Sequence, residues 1–97
     1  MYPKDVTKVV QDTVLGGEMQ AKEIAEHLGK PYSTLLRELN PFDMRAKLGV
    51  ETLMEIMRVT KDPRPLAFIA KQLGYRLVPE GVSSERTVKI FRPGARA

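Results

Sequence analysis

Residues 20–41, QAKEIAEHLGKPYSTLLRELNP, hold two amphipathic helical patterns joined by a tight turn, and that joint constrains the fold more than any other stretch. Ala21, Ile24, Ala25 and Leu28 recur at three- and four-residue spacing, so they share one helix face. Gly29 follows, where a chain leaving a helix commonly takes a positive φ that glycine adopts without a Cβ clash. Tyr32, Leu35, Leu36 and Leu39 then form a second apolar face, stopped by Asn40 and Pro41. Ala25 is small enough to let the second helix approach, and Leu35, ten positions later, turns into the joint. This is the spacing of a helix-turn-helix, which can lay its second helix in the major groove of DNA. Ordinary helical pairs share pieces of it. The alternative is therefore a helical protein–protein interaction or adaptor module that does not bind DNA.

The rest of the chain extends the helical pattern. Val6, Val9, Val10, Thr13 and Val14 mark one buried face of a first helix, with Pro3 suited to its start and Gly16 and Gly17 to its end. Its β-branched valines are mediocre helix formers, so tertiary packing must hold it. A connector over residues 42–49 carries a basic edge, Arg45 and Lys47. A fourth helix is predicted over residues 50–61, with Val50, Leu53, Met54 and Met57 as its core stripe and Ile56 widening it. Asp62 and Pro63 separate it from a fifth helix over residues 64–73, with Leu66, Ile69, Ala70 and Leu73 on one face, Phe68 beside them and Gly74 as C-cap. Met44, Met54 and Met57 read as core filler. The prediction is an all-α, five-helix domain over residues 1–75 with a basic extension over residues 76–97. Within that extension residues 87–91 alternate weakly, as a short strand would, and such a strand needs a partner in this chain or another subunit.

Composition narrows the chemistry. The chain has 97 residues, enough for one small domain, and 42% hydrophobic content, which argues against disorder. It has no cysteine, which rules out disulfides, thiolate zinc sites and a cysteine nucleophile and fits a cytoplasmic protein. No apolar run approaches the ~20 residues of a membrane span. His27 is the only histidine, no carboxylate pair stands out, and no glycine-rich loop could cradle a phosphate. Binding is therefore expected rather than catalysis, with no metal and no cofactor. The net charge of +4 favours a polyanionic partner, but residues 76–97 carry +3 and residues 20–47 only +1. The electrostatic signal thus lies mainly outside the helix-turn-helix.

If the second helix of the pair reads DNA, its outward face offers Ser33, Thr34 and Arg37, with Lys30 and Tyr32 near its start. Hydroxyls can bond phosphates or base edges, and the planar fork of Arg37 can hold guanine O6 and N7 together. The competing reading pairs Arg37 with Glu38 or Asp43 across the surface, and lets Ser33 or Thr34 cap the helix. Pro31, which lacks an N–H, fits only the first turn and stiffens it. Gln20 and Lys22 sit at the start of the preceding helix, where free N–H groups favour phosphate, and Lys30, Arg45 and Lys47 could clamp the backbone on either side.

With these residues assembled, the chain over residues 6–79 resembles the phage regulatory CII-type proteins of P2-like temperate phages. The resemblance rests on IAEHLGKPYSTLLRELNP followed by GVETLMEIMRVTKDPRPLAFIAKQLGYRLVP, in that order and spacing. It implies a lambda-repressor-like helical domain that binds double-stranded DNA sequence-specifically at phage promoters and helps establish lysogeny. It also implies a homo-oligomer, dimer or tetramer, with RNA polymerase as a further partner. The matching recognition helix is residues 31–39. Two subunits would present that helix to successive major grooves roughly 34 Å apart. Dimerisation would use the fourth and fifth helices or the tail.

Overall fold

The computed structural model describes residues 4–80, among which there are five helices and no strand. They are α1 (Asp5–Gly16), α2 (Ala21–Leu28), α3 (Tyr32–Glu38), α4 (Val50–Thr60) and α5 (Arg64–Leu73). The all-α, five-helix expectation holds. The strand expected over residues 87–91 and the helix-starting role of Pro3 fall outside the described residues. The chain divides into two compact units, Met1–Pro65 and Leu66–Ala97.

The core of the first unit is Val10, Val14, Ile24, Ala25, Leu35, Leu39 and Ile56, each essentially withdrawn from solvent. Val6, Met19, Ala21, Leu28, Leu48, Leu53 and Val59 pack around it. α2 is the hub, packing on α1, α3 and α4, while α1 also meets α4. At 8 and 7 residues, α2 and α3 are too short to persist alone, so their stability comes from this burial. Thr7 and Thr13 join the inner face of α1, and the Thr13 hydroxyl donates to the Val9 carbonyl at 2.8 Å, so its burial leaves no polar group orphaned. Val6 and Val9, expected on the buried face, are half-buried.

The joint is built as expected from the sequence. Gly29 stands at φ 69°, its N–H bonds the Glu26 carbonyl at 3.1 Å, and the Lys30 N–H reaches back to Ala25 at 3.0 Å. That pair of bonds is a Schellman ending, which turns the chain sharply toward α3. Pro31, at φ −61° and ψ 141°, is the N-cap of α3 rather than its first helical residue, and its carbonyl accepts the Leu35 N–H at 3.0 Å. Leu35 and Leu39 are buried beneath α2, whereas Leu36, expected beside them, is half-buried.

α4 departs from the expected phase. Ile56 is fully buried, whereas Val50 and Met54 are 67% and 51% exposed and Leu53 and Met57 are half-buried. Two apolar stripes overlap on this helix, 50/53/54/57 and 53/56/59, and α2 and α1 take the second. Met54 is consequently solvent-facing; Met44, in the loop before α4, is exposed as well, and neither is core filler. On α5, Pro65 and Ala70 are buried and Phe68 and Ile69 half-buried, but Leu66 and Leu73, expected on the inner face, are exposed. In the second unit Gly74, at φ 87°, ends α5 with the same two-bond closure: Gly74 N–H to Lys71 at 3.2 Å and Tyr75 N–H to Ala70 at 2.7 Å.

Candidate nucleic-acid interface

The turn over residues 29–31 fixes α3 against α2, and the burial of Leu35 and Leu39 fixes its rotation. Tyr32, Ser33 and Arg37 are then exposed and Thr34 half-buried. Neither Ser33 nor Thr34 caps α3, which has no side-chain cap bond. Both hydroxyls are therefore not spent on the helix terminus. Lys22, in the first turn of α2, places Nζ 6.0 Å from the centre of the Tyr32 ring, so the starts of α2 and α3 meet through a cation–π contact. Gln20 is the N-cap of α2, with an exposed side chain that makes no cap bond.

Two of the expected DNA-facing cations have protein partners. The Lys30 Nζ lies 3.2 Å from Glu38 Oε1 and 3.4 Å from Oε2, both side chains largely buried, so it ties the turn before α3 to that helix's last residue. Arg37, whose side chain is 60% exposed, donates from Nε to Asp43 Oδ2 at 3.0 Å. The surface pairing with Asp43 weighed for Arg37 is thus present.

Asp43 is in turn the centre of the loop after α3. Its Oδ1 accepts the backbone N–H groups of Arg45 at 3.0 Å and Ala46 at 3.2 Å. Asn40 Oδ1 accepts the Phe42 N–H at 2.9 Å, and the Asn40 carbonyl accepts the Asp43 N–H at 3.1 Å. Side chains of Asn and Asp bonding the backbone two residues on are the local chemistry that makes a defined turn. The Arg37 guanidinium first, then the Arg45 N–H, hold the Asp43 carboxyl below the ordinary aspartate range. Lys4, at the N-cap of α1, donates from Nζ to the carbonyls of Asp43 at 2.7 Å and Ala46 at 2.8 Å. Nothing in the local pattern around Lys4 signals this partner, whereas Asn40 and Asp43 are turn-forming types that could have been read. The same loop displays Phe42, 88% exposed, and Met44. Arg45 and Lys47 are exposed beside them.

His27, in the last turn of α2, is exposed. Among the described residues no group of three or more His, Asp or Glu side chains could hold a metal ion, and no helix is long and apolar enough to cross a membrane. Residues 4–80 carry a net charge of only +1, which makes a weak overall field.

A family model described as phage regulatory protein CII matches residues 4–91, spanning all five helices and part of the extension. Comparison with curated proteins and with solved structures finds no match.

Proposed function

The chain belongs to the phage regulatory protein CII family, and from that membership we propose that it is a sequence-specific double-stranded-DNA-binding transcription regulator that acts in establishing lysogeny. The observation that carries this reading is the outward face of α3. Packing of Leu35 and Leu39 turns Tyr32, Ser33, Thr34 and Arg37 away from the core, with the exposed cations Lys22, Arg45 and Lys47 on either side. Arg37 takes a base edge, the hydroxyls of Tyr32, Ser33 and Thr34 take phosphates or base edges, and Gln20, Lys22, Arg45 and Lys47 hold the backbone. Lys30 is left out of these phosphate contacts, since its ammonium lies on Glu38.

A body of net charge +1 gains little affinity from phosphate neutralisation alone. Affinity therefore comes from two copies on paired half-sites and from the basic residues 81–97, where Arg86, Lys89, Arg92 and Arg96 face only Glu85 in the charge count. A homo-oligomer with a lambda-repressor-like domain, working beside RNA polymerase in the cytoplasm of the host, completes the proposal. Its mechanism is binding, without catalysis.

The test is selection of bound duplexes from a random pool by the full chain. A two-part motif with half-sites about one helical turn apart is the expected result. No enrichment at any salt concentration overturns the reading. Arg37→Ala should relax one position of the motif and weaken specific binding by about 1–3 kcal/mol. A variant with unchanged affinity and motif removes Arg37 from base recognition. The exposed Phe42, Met44, Val50 and Met54 favour the second reading, an interaction module, and a chain that selects no DNA supports it.

A further inference from the structure

The contact between Arg37 and Asp43 uses one edge of the guanidinium and leaves the other. Only Nε of Arg37 donates to Asp43, and among the described residues its Nη groups have no acceptor. Arg64 differs: its Nε donates to both carboxylate oxygens of Asp62, at 3.2 and 3.0 Å, and its Nη2 to Oδ2 at 2.9 Å. That side-on grip takes two of the five N–H donors, so even there the end-on edge of Nη1 and Nη2 is not consumed. A carboxylate that takes Nε alone leaves the Nη1 and Nη2 pair, which can span guanine O6 and N7.

We propose that Asp43 is a positioning residue for specificity: it holds the Arg37 guanidinium by Nε and presents the Nη edge to a guanine. This rests on the reading of α3 as the DNA-facing helix. An arginine on a seven-residue helix is a long, flexible side chain, and ordering it at the moment of binding weakens discrimination. Asp43 orders it beforehand, and Asp43 is itself immobilised. Its Oδ1 is occupied by the Arg45 and Ala46 N–H groups, its carbonyl by Lys4 Nζ, and its own N–H by the Asn40 carbonyl. The support thus runs from the start of α1 through the loop to the recognition side chain. The opposite role, a carboxylate that competes with DNA for Arg37, would need a hold on the Nη1 and Nη2 edge itself, whereas Asp43 holds Nε.

Asp43→Asn separates the two functions of the carboxylate. The amide oxygen can still accept the Arg45 and Ala46 N–H groups and keep the turn, while the NH2 group faces the Arg37 Nε–H donor to donor. Duplex selection is run in parallel on the full wild-type chain, Arg37→Ala, Asp43→Asn and the double variant, each checked by thermal unfolding. Asp43→Asn is expected to relax the same motif position as Arg37→Ala, by about fivefold or more, within the range one bidentate base contact carries. It should leave other positions unchanged and add nothing in the Arg37→Ala background. Retained preference at that position, or tighter binding to all sequences, overturns the proposal. Should Asp43→Asn fail to fold, the wild-type Arg37 Nε–H resonance decides: slow solvent exchange in the free protein supports the hold, and exchange as fast as that of Arg45 overturns it. A wild-type chain that selects no motif fells the DNA reading and this inference together. A clear wild-type motif unaffected by Asp43→Asn fells this inference alone.

Discussion

Lys4 Nζ donates to the backbone carbonyl of Asp43, 39 positions away, at 2.7 Å, and so straps the loop after α3 to the start of α1. A second bond to Ala46 at 2.8 Å completes the strap. Lys4 itself stands at φ 66°, a left-handed conformation uncommon outside glycine, asparagine and aspartate. Lys4→Met removes both bonds and should cost about 1–2 kcal/mol, at the low end for charged donors because the site is partly solvated. Lys4→Gly loses the same bonds but relieves the backbone, so it should destabilise less. Urea unfolding of the three proteins checks the order, and a Lys4→Met midpoint equal to wild type would remove the strap.

Gly29 gives a cleaner backbone test. A Cβ added there would meet nothing within 4 Å, so substitution costs only the left-handed φ of 69°. Gly29→Ala should destabilise by about 1–2 kcal/mol, and Gly29→Asn by less, because asparagine tolerates this region. Equal unfolding midpoints for the alanine and asparagine variants would contradict this account.

The phase of α4 sets a third prediction. Ile56→Ala opens a cavity in the core and should cost about 2–5 kcal/mol, whereas Met54→Ser, on the solvent side, should lie within about 0.5 kcal/mol of wild type. Thermal unfolding that showed the reverse order would restore the stripe expected from periodicity.

That helix also shows what could be read from sequence and what could not. The joint was legible because each part has a local cause: a small residue at Ala25, a glycine where φ must be positive, a leucine at the crossing. All five helices were legible from spacing and stop signals. The rotation of α4 was not, since two apolar stripes share Leu53 and only the surfaces of α1 and α2 choose between them. At the candidate interface, periodicity placed Ser33 and Arg37 on the exposed face, where they lie, while Thr34 is half-buried. The partners of Lys30 and Arg37 depend on where the chain returns after α3, and Lys4 depends on contacts across half the first unit.

Asp43 and Asp62 predict an acid-side signature. The side-chain hydrogen bond from Arg37 is the main cause lowering Asp43, and that from Arg64 the main cause lowering Asp62, both from the ordinary value of 3.8. A carboxyl depressed in the folded state contributes stability that is present above the ordinary value and is lost as pH falls through the folded one. Carboxyl carbon titration by NMR should therefore place both below 3.8. Arg37→Ala should move Asp43 back up and leave Asp62 in place. A common shift of both, or of neither, would contradict the pairings.

The pair of Lys30 with Glu38 separates a structural lysine from a phosphate clamp. The Glu38 side chain is only 18% exposed, its Oε1 is buried without a hydrogen-bond partner, and the Lys30 ammonium 3.2 Å away is its counter-charge. Removing one member of such a pair leaves an uncompensated charge, which costs more than removing both. Lys30→Met should thus destabilise by about 1–3 kcal/mol, and adding Glu38→Gln should recover part of that loss. In DNA binding the single variant should leave the slope of affinity against salt unchanged, because no phosphate contact is lost. A lysine that instead clamps phosphate would show the opposite pattern: intact stability and a salt slope reduced by about one. Measuring unfolding and the salt slope on the same variants assigns Lys30 to the inside of the helix pair or to its DNA-facing surface.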